Sequence, residues 1–209
     1  MINYSDLSSV KYELDQKIYH IFGGSDWNII SGGYLDKPVL IITIDCRDTN
    51  LKFLNIENFK QHYLPICSYL NSNAWCKEQE FYIDFINKKI IDKTVLRDIE
   101  PYPEEDKLPY ILEEKKLWSS SIKKANVDDF LDSMFGKEPF KISQGCVEDS
   151  LKNLLCKSCN KPIKNIGYIG YENFNSRNFI KNSAFFYGEG GLHVSFCVNC
   201  SILKLNPII

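Results

Sequence analysis

The chain has 209 residues, 44% of them hydrophobic and 25% charged, with a formal net charge of −2. This composition excludes extensive disorder, and the length suffices to bury a core without disulfide support. No apolar run approaches the roughly 20 residues needed to span a bilayer.

The N-terminal segment, MINYSDLSSVKYELDQK, lacks the basic, apolar and small-residue parts of a secretory signal, so the expected location is the cytoplasm. From Ser5 to Phe22, the residues Leu7, Val10, Leu14, Ile18 and Ile21 recur at steps of three or four. That spacing predicts a helix, stopped by Gly23-Gly24. A strand-like approach and a Gly32-Gly33 turn then lead into Val39 to Ile44, an unbroken apolar run. Such a run reads as a strand covered on both faces. Asn55 is placed to cap a helix whose Ile56, Phe59, Tyr63 and Cys67 share a face, with Pro65 kinking or dividing it.

Residues 80–99 predict two strands joined by a tight turn at Asn87-Lys88, with Phe81, Ile83 and Phe85 on one face and Tyr82 and Asp84 on the other. The next stretch, EPYPEEDKLP, reads as an exposed acidic loop. A helical reading suits LEEKKLW, followed by a helix capped by Asn126 and a short one, VEDSLKNLL, running into Cys156. The mixture predicts an α+β fold, with an α+β body over 1–150 and a β-rich subdomain over 151–209. The charge divides along the same boundary. Residues 151–209 carry seven basic and two acidic side chains, and 1–150 carry 18 basic and 25 acidic ones, a split of +5 and −7.

Eight cysteines raise the question of disulfides, which a chain of this length with no export signal does not call for. Cys46, Cys67, Cys76 and Cys146 stand among apolar residues and read as small buried hydrophobes. Cys156, Cys159, Cys197 and Cys200 differ, because they form two Cys-x-x-Cys pairs separated by 37 residues. A Cys-x-x-Cys turn lets two sulfurs face one ion while backbone N–H groups offset their charge. Two such turns complete a tetrahedral, all-thiolate site, for which Zn²⁺ is the expected metal. Iron–sulfur ligation is chemically open but less common, and neither pair stands between a strand and a helix as a thioredoxin-like redox pair would. His193, four residues before Cys197, is an alternative ligand but reads as a strand residue.

The paired knuckles resemble a zinc ribbon over roughly the last 55 residues. The resemblance implies knuckles at hairpin ends and a structural metal. The 37-residue gap exceeds the about 15–20 of the short pattern, so an extended hairpin or extra strand is expected.

A closed thiolate site generates no nucleophile, and no GxSxG, HExxH or phosphate-binding glycine loop occurs. Asp45, Asp48, Glu78 and Glu80 flank predicted strands and are the candidates for a metal-dependent hydrolase or nuclease. A nucleic-acid reading rests on the basic tail (Lys161, Lys164 and Arg177) with Tyr168, Tyr171, Phe174, Phe179, Phe185, Phe186 and Tyr187. Four thiolates and Zn²⁺ remove about two charges from that tail, which weakens the reading. The preferred expectation is a non-enzymatic protein that binds a basic protein partner through Asp98, Glu100, Glu104, Glu105 and Asp106. A bacterial immunity protein that neutralises a toxin is the class-level analogy.

Overall fold

The computed structural model describes residues 7–11, 18–34, 36–54, 62–119, 140–143, 153–170 and 191–208. The first six strands are β1 (Leu7–Lys11), β2 (His20–Phe22), β3 (Asn28–Ile30), β4 (Val39–Asp45), β5 (Tyr63–Ser68) and β6 (Gln79–Asp84). They are followed by β7 (Lys89–Asp92), β8 (Lys115–Ser119), β9 (Phe140–Ser143), β10 (Lys164–Ile169), β11 (Gly191–Cys197) and β12 (Ile202–Ile208). Among the described residues the helical elements are three short 3-10 segments, Thr49–Leu54, Asn73–Cys76 and Glu104–Asp106. None is long and apolar enough to cross a membrane.

The α+β expectation is therefore overturned: the described chain is nearly all β. The stripe assigned to one helix over Ser5–Phe22 contributes instead to two strands, β1 and β2. The Tyr63–Cys67 part of the second predicted helix is β5, and LEEKKLW runs into β8. In each case cross-strand pairing overrides local helical spacing. Pro65 is compatible with a strand because β5 is the last strand of the sheet, where a missing N–H is tolerated. Asn55, the helix predicted after Asn126 and most of VEDSLKNLL lie outside the described residues.

The strands form one hydrogen-bonded series, β3-β7-β6-β12-β11-β10-β9-β1-β8-β2-β4-β5. Every neighbouring pair is antiparallel except β3 with β7. Two predicted features fall where expected. Val39–Asp45 is buried at every position, and β6 and β7 flank the Asn87-Lys88 turn, where Lys88 adopts φ 48°.

The series curls back on itself, since Ile42, Ile44 and Ile66 near one end face Phe140, Ile166 and Val194 across a void of only about 10 Å³. Ser68 Oγ and the Tyr69 N–H donate to Gln79 Oε1 on β6, tying β5 to β6 as well. Phe85 packs edge-on against both Trp27 and Phe196. One apolar core thus joins residues of β4 and β5 to residues of β6, β11 and β12. Within the series, β12 pairs with β6 and β10 pairs with β9, which seats β10, β11 and β12, whose ends adjoin the cysteine turns, between them.

Candidate metal centre

The first Cys-x-x-Cys pair sits on a small hairpin. Leu155 pairs with Pro162, the Cys156 N–H donates to the Lys161 carbonyl at 2.8 Å, and the Asn160 N–H donates to the Cys156 carbonyl at 2.8 Å. Asn160 takes φ 55°, a left-handed conformation that asparagine tolerates. The second pair forms the turn between β11 and β12, where Cys197 and Ile202 are the last ladder partners. The Ile83 N–H on β6 donates to the Ser201 carbonyl at 2.8 Å and anchors that turn to the sheet.

The two turns bring the four sulfurs within 4.8 Å of one another. The Cys159 and Cys197 Sγ atoms are 3.7 Å apart. Four sulfurs at about 2.3 Å from a tetrahedral zinc would be about 3.8 Å apart, whereas a disulfide would need about 2.05 Å. Cys156 and Cys197 are buried and Cys159 and Cys200 half-buried, with Ile163 and Ile202 packed around them.

Burial opposes ionisation of Cys156, yet N–H groups of Cys159 and Ser158 and the neighbouring sulfurs bring its pKa down to about 7. Cys200 is pushed up to about 12, chiefly by its hydrogen bond with Cys159, and Cys197 is raised by burial. Without a cation, one thiol ionises first and its charge opposes the others. A divalent ion would reverse that balance. The set is therefore positioned to hold a metal ion and is compatible with structural zinc. Among the described residues it is the one His, Cys, Asp and Glu cluster so arranged. His193 lies in β11, about 13 Å of strand away from Cys197.

The acidic candidates are not brought together. Glu78 pairs with Lys157 of the first knuckle at 3.0 Å and with the buried Lys204 of β12 at 3.1 Å. Burial works against its charge, but the two lysines hold its pKa below the usual carboxylate value. Glu80 faces Lys204 across the β6–β12 ladder. Asp45 ends β4 opposite Tyr63, whereas the β6 start meets Ser68, which pairs with Val39 at the other end of the hairpin. Roughly 20 Å of strand separates the two ends.

Asp45 and Asp48 are instead committed to structural networks. Arg47 grips Asp45 through Nε at 2.9 Å and Nη2 at 2.6 Å. Asp48 Oδ2 accepts from Ser119 Oγ at 2.5 Å and lies 3.2 Å from His20 Nε2, while His20 Nδ1 accepts from the Asp45 N–H. Burial would raise both carboxyl pKa values, but these partners hold them below 3.8. The Ser119, Asp48 and His20 set is buried, and its serine bonds to the carboxylate rather than to the imidazole. A nucleophile–base relay needs the opposite order. Reading along the chain missed this network because Ser119 is 71 residues from Asp48; the detectable signal was Arg47, sandwiched between the two acids.

The five acids of 98–106 are all exposed, and the segment that carries them is pinned from behind. Asn73 Oδ1 accepts from the Glu100 N–H at 3.0 Å and its Nδ2 donates to the Asp98 carbonyl at 3.3 Å. Buried Asn71 pairs with both backbone groups of Leu108, at 2.6 and 2.9 Å. In the basic tail Lys161 and Lys164 are exposed, but Tyr168 is only 2% exposed and is therefore not a stacking platform. Tyr171, Phe174, Arg177, Phe179, Phe185, Phe186 and Tyr187 lie outside the described residues. Of the scattered cysteines, Cys67 is buried, Cys46 and Cys76 are half-buried, and Cys146 lies outside the described residues.

Compared with known proteins, the chain matches no family model, no curated protein and no solved structure.

Proposed function

We propose that this chain is a non-catalytic binding protein, stapled by one structural Zn²⁺, that captures a basic protein through the acids of residues 98–106. The observation that carries the reading is the pinned acidic segment. Asn73 fixes its backbone at Asp98 and Glu100 and Asn71 fixes it at Leu108 just beyond, while Glu104, paired with Lys107 at 2.5 Å but 86% exposed, lies at the surface with its acidic neighbours. A segment already ordered loses little entropy on association, and its charge steers a basic partner. Zn²⁺ on Cys156, Cys159, Cys197 and Cys200 would have no open coordination position, so its contribution is to folding. Neutralisation of a basic toxin is the form of capture that fits this chemistry.

Elemental analysis of untagged protein is expected to give one zinc per chain, and absence of stoichiometric metal removes that part of the proposal. For the partner, capture from the native host is compared between the wild type and a variant carrying Glu104→Gln, Glu105→Gln and Asp106→Asn. The expected result is a basic protein retained by the wild type in a salt-sensitive manner and lost from the variant, with the melting temperature unchanged. Retention that survives the triple change, or depends instead on Lys161 and Lys164, overturns it.

A further inference from the structure

Two concave surfaces lie beside each other, one over β2, β4 and β5 and the other over β3 and the β6–β7 turn. One lobe, about 430 Å³, has Tyr19, Thr43, Arg47 and Tyr63 in its lining. A second, about 410 Å³, is lined by Lys37, Asn87, Tyr110 and Ile111, among others. The lobes share Asp26, Trp27 and Lys88, so they adjoin at these residues, and the two together are termed the groove. Each half falls within the about 300–1,000 Å³ of ligand pockets.

The groove is distinguished by how its cations sit. Arg47 lies 5.3 Å from the Tyr63 ring centre, Lys37 is 4.6 Å from that of Tyr110, and Lys116 is 4.4 Å from that of Tyr19. All three cation–π pairs found among the described residues therefore border this one groove. Arg47 is locked by Asp45 and by the Tyr63 hydroxyl, which accepts from Nη2 at 2.9 Å, yet it remains 48% exposed. Lys88, at the junction of the lobes, is 61% exposed and only loosely paired with Asp26 at 3.9 Å. Its backbone is fixed by the β6–β7 turn and by the Asn28 N–H, which donates to its carbonyl. With Asp26 and Asp45 set against Arg47, Lys37 and Lys88, the lining carries a formal charge of +1 in a body whose formal charge is −7.

We propose that the groove binds a nucleotide chain through one base–phosphate–base step. The phosphodiester sits at Lys88 between the lobes, one base stacks beside Tyr19 and Tyr63, and the other stacks beside Tyr110. Cations and aromatic rings interleaved along a groove are what unpaired nucleotides need, since phosphates meet the charges and bases meet the rings. An acidic peptide would use the cations but would leave no aromatic contact between ligand and rings, which would serve only to hold the cations in place. The site is separate from the acidic segment and from the zinc knuckles, so its failure leaves the protein-binding reading intact.

The test is fluorescence anisotropy of the full-length protein with a short labelled oligo(dT) at low salt, with unlabelled pTpT as competitor. Saturable binding is expected. Tyr63→Ala and Tyr110→Ala should each weaken it about fivefold or more. Lys88→Glu should weaken it and reduce the dependence of log K on log salt by about one. Lys161→Glu, on the knuckle, should have no effect. Competition by pTpT at the affinity of the oligomer identifies a free dinucleotide as the ligand, and much weaker competition identifies a single strand. No saturable binding, or binding that Lys88→Glu and Tyr110→Ala leave unchanged while both variants keep the wild-type melting temperature, overturns the proposal.

Discussion

Buried titratable side chains decide how this molecule responds to acid. His193 is 1% exposed, and burial lowers its pKa to about 4 from an ordinary 6.5. It is therefore neutral in the fold at pH values where the unfolded chain already binds a proton. Stability must fall as pH drops from about 6.5 towards 4, by at most about 1.4 kcal/mol per pH unit. Asp45 and Asp48 act lower on the scale. Their folded pKa values lie below 3.8, so their contribution is present above 3.8 and is lost as pH falls through the folded values. Urea denaturation at a series of pH values should show both limbs. In His193→Gln the upper limb should flatten by on the order of 2–3 kcal/mol across the window while the lower one remains. Acid also releases metal from thiolates, but that effect is common to both proteins, so identical slopes would refute the assignment.

At the level of elements, legibility followed the range of the interactions. The β6–β7 hairpin was readable because its alternation and its turn lie within one short stretch, and β4 because burial on both faces leaves an unbroken apolar run. Strands β1, β5 and β8 were not. Leu7, Val10 and Ile21 match a helical stripe only because two separate strands lie close in sequence, and β8 is held by β1 and β2 rather than by its own spacing. The cysteine quartet was legible from its spacing, whereas the groove is assembled from Tyr19, Trp27, Lys88 and Tyr110, which no local pattern links. The start of β11 shows the same dependence on tertiary context. A Cβ on Gly191 would stand 2.1 Å from the hydroxyl oxygen and 2.3–2.5 Å from the adjoining ring carbons of Tyr168, which is buried at 2% exposure. Gly191→Ala should therefore cost about 1–3 kcal/mol through overpacking, seen as a lower urea midpoint with unchanged metal content. A wild-type midpoint would show that Tyr168 moves aside freely.

For the whole molecule, the position of the metal site matters more than its chemistry. Strands β10, β11 and β12 occupy the interior of the series, with β9 on one side and β6 on the other. The knuckles lie at the end of this group, and Glu78 ties the first of them to β6 through Lys157 while also holding Lys204 of β12. A metal there would clamp the 155–162 hairpin to the β11–β12 turn, and so fix strands that the rest of the sheet needs as partners. Its binding energy is then stability of the entire fold, because the unfolded chain offers no assembled site. Stripping the metal with a chelator, or Cys200→Ser, is expected to lower the melting temperature by about 10 °C or more. Zinc release followed by a colorimetric dye should coincide with loss of the β-sheet circular dichroism signal in one transition. If zinc instead leaves well before the sheet melts, and the stripped protein melts where the loaded one does, the knuckles are an appendage and the clamp argument fails.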